Sequence, residues 1–332
     1  MSSSEDTLSD LQELTRSERR AGFVERGNRL YQAPTITSPY PLPVDTPENE
    51  RLTILHNVLT ELRANTFGPV ADVLSPQEGQ SKSVVDLACG IGEWVMEMAR
   101  EYPHVTFHGL DVVSIATREP EANVYFEIHD IGDQTRFSDA SVDLVHARSV
   151  FMTVRDYNVV VQEAARILKP GGLFLSGEWG PFVSFTPDVP EIEGENPDVH
   201  VPGLYRFYQA IRTACKDKLG IVTEGIFTIK PVWSRIPEWL ESTGAFKDIT
   251  PHHLYVPIGD WSPDPTYNRL GNFNRTAMVK FIESARDFLL SSGMTEAEFE
   301  DMYTQATVEI NHNRTGIPGV RSIYYMVEAR KT

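Results

Sequence analysis

Three aspartates in this chain stand where apolar runs stop: Asp86 in "SVVDLACGIG", Asp111 in "TFHGLDV" and Asp130 in "VYFEIHDIGD". Between the first two lies a turn with two glycines, Gly90 and Gly92, leading into "EWVMEMARE". A glycine turn between a strand and a helix brings backbone close to a ligand. Carboxylates at strand ends accept hydrogen bonds from hydroxyl, amino or ammonium groups. The turn is not a dinucleotide fingerprint, because Val95 occupies the place of the third glycine that lets helix and strand pack closely. It is not a phosphate loop either: no Gly-Lys-Ser/Thr follows, and Asp86 would repel a pyrophosphate. What fits is an ammonium group at Asp86, ribose hydroxyls at Asp111 and an adenine amino group at Asp130. A nucleoside that carries an amino acid and no phosphate has these parts, and S-adenosylmethionine (SAM) is such a molecule.

To converge, these residues need a particular frame. From Ser83 the pattern alternates: strands at "SVVDLA", "TFHGLDV", "VYFEIHD", "VDLVHARS" and "GLFLSGEW", with helices at Glu93–Glu101 and Val159–Leu168. Such alternation predicts parallel β-α-β units with both sheet faces covered. Upstream, the proline-rich "YQAPTITSPYPLPVDTPENERL" predicts an extended segment. A helix over 47–66 follows, capped by Thr46, with Leu52, Leu55, Leu59 and Leu62 at helical spacing. Residues 1–30 are polar and are expected to form a flexible arm. After Gly180 a long proline-rich stretch reads as an insertion or lid. Helical patterns at Leu204–Lys218, Ile236–Thr243 and 275–312, and strands at "FKDITPHHLYVPIG" and "SIYYMVEARK", complete the chain.

Composition narrows the partners. With 332 residues the chain can bury a large core, and a net charge of −17 disfavours nucleic acid, whose binding rests on neutralising phosphates. Two cysteines, Cys89 and Cys215, make no disulfide framework and fit a reducing compartment. No apolar run reaches the length of a membrane span, so no membrane partner is expected. His252 and His253 are adjacent, so on a strand they point to opposite faces, and His312 has no ligand partner at a useful spacing; no metal site is expected.

The strings "VVDLACGIG", "GLDV", "FEIHDIGD", "VDLVHARS" and "LKPGG", in this order and spacing, resemble the class I SAM-dependent methyltransferases. The upstream "YPLPVDTPENERLTILH" and downstream "VFMTVRDYNVVVQEAARILKPGG" are similar to the fungal LaeA-like methyltransferases of secondary metabolism. The resemblance implies a Rossmann-like seven-stranded sheet with an N-terminal helical lid and a cap inserted after strand five. On that frame, residues 1–30 are the arm, 31–80 the lid segment, 81–180 the SAM-binding core, 181–235 the cap and 236–332 the rest of the same domain. It also implies that Asp86, Ala88, Gly90 and Gly92 surround the methionine part of SAM, that Asp111 and Val112 bind the ribose, and that Asp130 and Ile131 line the adenine. Arg148 and Ser149 would form the loop after strand four. The family's first glycine is Ala88 here, which requires φ below zero. Arg51 is expected either to reach the SAM carboxylate or to pair with Glu48.

Aromatic residues gather beyond strand five, and Trp179, Phe182, Tyr205 and Tyr208 are candidate walls for a small, apolar or aromatic acceptor. Methyl transfer to a carboxylate or a neutral amine needs no base; for a phenol or enol acceptor His252, His253, Glu178 and Tyr205 are the candidates. Two other functions stay open: a LaeA-like regulator acting through protein partners, and a SAM-binding protein that catalyses something other than methylation. The location expected is cytoplasmic, or nuclear for a regulator.

Overall fold

The computed structural model describes residues 15–33, 40–64, 67–185, 200–221, 232–311 and 319–332. The segment expected as an arm is structured from Arg16 onward. A short helix α1 (Arg16–Ala21) precedes an antiparallel hairpin of β1 (Phe23–Arg26) and β2 (Arg29–Gln32). Gly27 and Asn28 take φ +51° and +63°, the left-handed pair that a tight two-residue hairpin turn needs. The hairpin is anchored by Tyr31, whose hydroxyl donates to Asp287 at 2.9 Å, and by Arg29, which forks onto Asp45 at 2.6 and 3.0 Å. Residues 1–14 of the expected arm lie outside the described residues.

Helix α2 (Thr46–Glu61) starts one residue before the expected helix and is capped by Asp45, not Thr46. The Asp45 side chain accepts from the Glu48 N–H at 3.3 Å while also holding Arg29, and Pro47 fits the first turn, where its missing N–H has no partner to lose. The helix stops five residues short of the expectation, with Arg63 at φ +55° just beyond it.

After α3 (Val70–Leu74) come β3 (Lys82–Leu87), α4 (Glu93–Glu101), β4 (Val105–Asp111), β5 (Val124–Ile128), β6 (Val142–Arg148), α5 (Asn158–Ile167) and β7 (Leu168–Phe185). Then follow α6 (Pro202–Leu219), α7 (Val232–Ser242), β8 (Phe246–Pro257), α8 (Pro265–Ser284), α9 (Arg286–Ser291), α10 (Glu296–Asn311) and β9 (Val320–Lys331). Seven strands form one sheet in the order β5-β4-β3-β6-β7-β9-β8. The pairs among β3 to β7 are parallel. The last strand, β9, inserts between β7 and β8 and is antiparallel to both, which alternation alone did not predict. Residues 181–185, assigned to the cap, continue β7 instead, because Val183 to Phe185 pair with Val320 to Ser322 of β9.

The central strands are apolar on both faces, as a sheet covered on both sides requires. Val84 of β3 packs with Trp94, Val95 and Met98 of α4, whereas its neighbour Val85 packs on the other face with Val160, Val161 and Ala164 of α5. Helices α6, α8, α9 and α10 bundle beyond the sheet, burying Phe207, Ile282, Phe288 and Phe299 together.

Candidate functional site

Chain order reverses between β3 and β6, and ligands of open α/β sheets bind outside the carboxyl ends of strands at such a switch point. The register brings three strand ends side by side there: Asp86 pairs with Gly109 on β4 and with His146 on β6, and Asp111 and Arg148 close the neighbouring strands. A cleft of about 1040 Å³, its open mouth included, lies above them. Asp86, Ala88, Gly90, Asp111, Val112, Ile131, Arg148 and Ser149 line it, so eight of the eleven expected cofactor residues converge.

The turn is shaped for close approach. Gly90 has φ +57°, and a Cβ added there would meet no protein atom within 4 Å. Gly92 does not line the cleft. At φ +80° it starts α4, and a Cβ on it would come within 2.5 Å of Phe126, so this glycine serves helix–sheet packing. Ala88 departs from the expectation of a negative φ: it stands at +58°. Ala88 leads into the tight turn out of β3, where the Cys89 N–H donates to the Leu110 carbonyl of β4 at 2.8 Å and the Gly92 N–H closes the turn on the Cys89 carbonyl at 3.0 Å. Ser149, on the facing strand end, is left-handed as well, at +57°.

Asp111 Oδ2 accepts from the Gly90 N–H at 2.9 Å and Oδ1 from the Val113 N–H at 3.1 Å. Burial pushes its carboxyl up to about 6 against those N–H groups, which favour the ionised form. Asp86 is buried, and His146 Nδ1 lies 2.7 Å from its Oδ1. Burial holds His146 below its ordinary value, so the neutral ring donates to the carboxylate while stacking on Trp94 at 3.7 Å. Cys89 is pushed well above the usual thiol range by burial and by Asp111 and Asp86, as suits a packing residue and not a nucleophile.

Helix α2 forms one wall of the cleft and is tied across it. Thr53 Oγ1 donates to Glu93 Oε1 at 2.7 Å, and Thr60 Oγ1 to Glu97 Oε2 at 3.1 Å. His56 lies 3.1 Å from Glu97 through Nε2 and 3.4 Å from Arg148 through Nδ1. His56 and Tyr40 both line the cleft and were not singled out from the sequence. The run "ENERLTILHN" shows a leucine stripe and does not show which of its polar residues face inward.

A second chamber of about 960 Å³ adjoins the cleft, sharing Tyr40, Leu52, Leu55, Ser149 and Trp179 with it. Much of its remaining wall comes from α6 and α8, with Tyr208, Met278 and Phe281 among the contributors, and Phe151, Met152 and Ser322 add to it. Trp179 and Tyr208 stand where a wall was expected. Tyr205 does not line the chamber, and the Phe182 side chain lies outside the described residues.

Arg51 faces this second chamber and not the cofactor cleft. It pairs with Glu48, Nε to Oε1 at 2.9 Å, in a buried position. Asp130 does not line the cleft: its Oδ1 accepts from the Gly132 N–H at 2.9 Å, closing its own turn.

The four candidate bases lie off both chambers. His252 sits on the outermost strand, 3.2 Å from Glu328, and His253 packs edge-on against Tyr325. Glu178 is fully buried in β7; its Oε1 accepts from the Val150 N–H at 2.8 Å, and the Phe151 N–H and the Tyr157 hydroxyl also favour its ionised form. Burial pushes its carboxyl up to about 8. Among the described residues no three or more His, Cys, Asp or Glu side chains gather to hold a metal, and no helix is long and apolar enough to cross a membrane.

Residues 78–217 match the family described as methyltransferase domain. The secondary metabolism regulator laeA of Coprinopsis cinerea is 27% identical over 281 residues, 83% of this chain and 67% of that protein. Methyltransferase pytC of Aspergillus terreus is 26% identical over 253 residues, 76% of this chain and 70% of its own. Methyltransferase str2 of Strobilurus tenacellus is 24% identical over 272 residues, covering 82% and 90%. The family match spans the strands that carry Asp86, Asp111 and Arg148, so residues 78–217 carry a SAM-dependent methyltransferase domain, and the chain is similar over most of its length to the fungal LaeA-like proteins.

Proposed function

We propose that the protein methylates a small, largely apolar or aromatic metabolite, in fungal secondary metabolism. The observation that carries this reading is the apolar chamber adjoining the cofactor cleft through Ser149 and Trp179. The names of relatives, a methyltransferase and a secondary metabolism regulator among them, support the setting.

The cleft fits SAM on its own donor set. Asp111 keeps acceptor capacity beyond its backbone N–H partners for a pair of ribose hydroxyls, Asp86 offers a carboxylate to an ammonium, and Gly90 leaves open space beside the turn. When bound, SAM supplies an electrophilic methyl group on a sulfonium. The chain's part is positioning and drying: α2 closes the cleft, and the apolar chamber holds the acceptor away from water. Among the described residues, the titratable groups that line the second chamber are the paired Arg51 guanidinium, which is no base, and the hydroxyls of Tyr40 and Tyr208; an acceptor whose nucleophile is already unprotonated suits this lining.

The test is acceptor-dependent formation of S-adenosylhomocysteine, measured for the wild type and for Trp179→Ala and Tyr208→Ala separately. Each variant should change acceptor kinetics while Tyr208→Ala keeps cofactor affinity. Thermal melts must accompany them, since loss of a packed aromatic costs about 3–5 kcal/mol. Folded variants that methylate the acceptor at the normal rate would remove the chamber from the reaction. Similarity to laeA regulators supports a second reading, action through a protein partner. A stable protein complex without turnover of small molecules would favour it, together with a nuclear rather than cytoplasmic location.

A further inference from the structure

The acceptor chamber holds one charged pair, and it is unevenly satisfied. Arg51 Nε and Nη2 both donate to the same oxygen of Glu48, and the other Glu48 oxygen accepts from Ser284 Oγ at 2.7 Å. Both carboxylate oxygens are therefore engaged. The guanidinium has five N–H donors and uses two, and its Nη1 meets no acceptor among the described residues. The side chain is nine-tenths buried, lies over the Phe281 ring at 5.3 Å and lines the chamber. An N–H donor that meets no protein acceptor beside a largely apolar chamber can bond to an oxygen of a molecule that enters it.

Tyr40 stands at the junction, lining both the chamber and the cofactor cleft. Its hydroxyl makes no hydrogen bond among the described residues, and Arg51, Glu48 and Asp111 all act on it electrostatically. Asn274 Nδ2 is engaged on the Pro257 carbonyl at 2.9 Å and on Ser322 Oγ at 3.1 Å, and the Tyr208 hydroxyl on Met278 Sδ at 3.4 Å.

On the reading of this chamber as the acceptor site, we infer that Arg51 Nη1 and the Tyr40 hydroxyl form a polar subsite that binds an uncharged oxygen of an otherwise apolar acceptor. A carbonyl, ether or hydroxyl oxygen would serve. Charge balance selects the uncharged form: Glu48 already neutralises Arg51, and among the described residues no second cation lines the chamber to compensate a carboxylate. This places Arg51 with the acceptor and not with the SAM carboxylate.

Three probes of one ring size test it on the full chain saturated with S-adenosylhomocysteine: 2-methylnaphthalene, 2-acetylnaphthalene and 2-naphthoate, with affinities from ligand-observed NMR. The ketone should bind about tenfold tighter than the hydrocarbon, as a hydrogen bond from a charged donor provides, and 2-naphthoate should gain nothing over the ketone. Because Arg51→Met alone would strand a buried Glu48, the double variant Glu48→Gln/Arg51→Met removes the pair together. It should abolish the preference for the ketone while S-adenosylhomocysteine affinity holds, and Tyr40→Phe should reduce the preference in part. A ketone preference that survives the double variant overturns the subsite. So does a loss of S-adenosylhomocysteine affinity in that variant, which would return Arg51 to the cofactor. Tighter binding of 2-naphthoate would overturn the charge argument. If the wild type binds the hydrocarbon and gains nothing from the ketone, the subsite alone fails. If it binds S-adenosylhomocysteine and none of the probes, the acceptor chamber itself is wrong.

Discussion

Replacing Glu178 with glutamine should make the protein more stable at alkaline pH and leave it little changed at pH 5. The wild-type carboxyl is fully buried, with Oε1 held by the Val150 N–H, and burial outweighs the hydrogen bonds from Val150, Phe151 and Tyr157 that favour its ionised form. Burial raises it from an ordinary value of 4.5 to about 8. A carboxyl raised on folding adds stability that is fully present below pH 4.5 and is lost as pH rises through about 8. At about 1.4 kcal/mol per pH unit, the loss across that window is at most about 5 kcal/mol. Relaxation of the site reduces it, and a loss of about 2 kcal/mol or more between pH 5 and pH 9 is expected. Glutamine keeps the oxygen that accepts from Val150 and cannot ionise. Urea unfolding of wild type and Glu178→Gln at pH 5, 7 and 9 measures the difference. Parallel curves at all three pH values would refute the reasoning, since they would mean that Glu178 titrates alike in folded and unfolded chains. The same bond holds the backbone beside Ser149, which lines both chambers, so the wild type should also lose acceptor turnover above pH 8.

Asp111→Ala should weaken S-adenosylhomocysteine binding by roughly 1.5–3 kcal/mol per charge-assisted hydrogen bond lost; unchanged calorimetric affinity would remove Asp111 from the site. In the wild type that affinity should fall as pH drops below about 6, where the buried Asp111 carboxyl takes up a proton in the ligand-free protein. Deletion of residues 1–14 should leave cofactor binding intact, whereas deletion through Arg51 removes Tyr40 and the first turn of α2 and should abolish it; a fully active longer deletion would refute the lid. Ala88→Gly should raise the melting free energy by about 0.5–1 kcal/mol by relieving a left-handed alanine, and a destabilised variant would show that the φ of +58° is not strained.

What the sequence made legible is what local pattern encodes. Asp86 and Asp111 each end an apolar run and Gly90 follows in the turn after the first, so strand order alone carries them to one switch point. The residues that escaped depend on distances between elements. His252 and His253 are on β8, at the far edge of the sheet from β3, and nothing in their spacing records how many strands intervene. Asp130 ends its strand as Asp111 does, yet its carboxylate turns back to Gly132, and only three-dimensional geometry separates the two. Arg51 was expected at the cofactor or beside Glu48; the pairing was readable at three-residue helical spacing, but not the chamber it faces, which α8 completes more than two hundred residues later in the chain. The hairpin at 23–32 carries a turn signal in Gly27-Asn28, but the polarity of the segment hides it, because its anchors, Asp45 and Asp287, lie far along the chain.

Helix α2 reconciles these observations. Its mean polarity would permit a solvated surface helix, but its two faces serve different neighbours. Thr53, His56 and Thr60 reach the α4 and β6 side of the cofactor cleft, while Glu48 contacts Ser284 and Arg51 lies over Phe281, both on α8. Further along, Glu61 and Glu50 are paired with Arg269 and Lys280 of α8. Exposed pairs of this kind contribute little stability individually, so the docking of α2 rests mainly on its buried Val58 and Leu59 against Leu270, Val256 and Tyr324. One helix thus walls both chambers, and any movement of it would alter cofactor and acceptor sites together. The coupling is testable through Thr53 and Thr60 on one face and Glu48 on the other, because a change confined to one face should be felt at the opposite chamber only if α2 moves as a rigid unit.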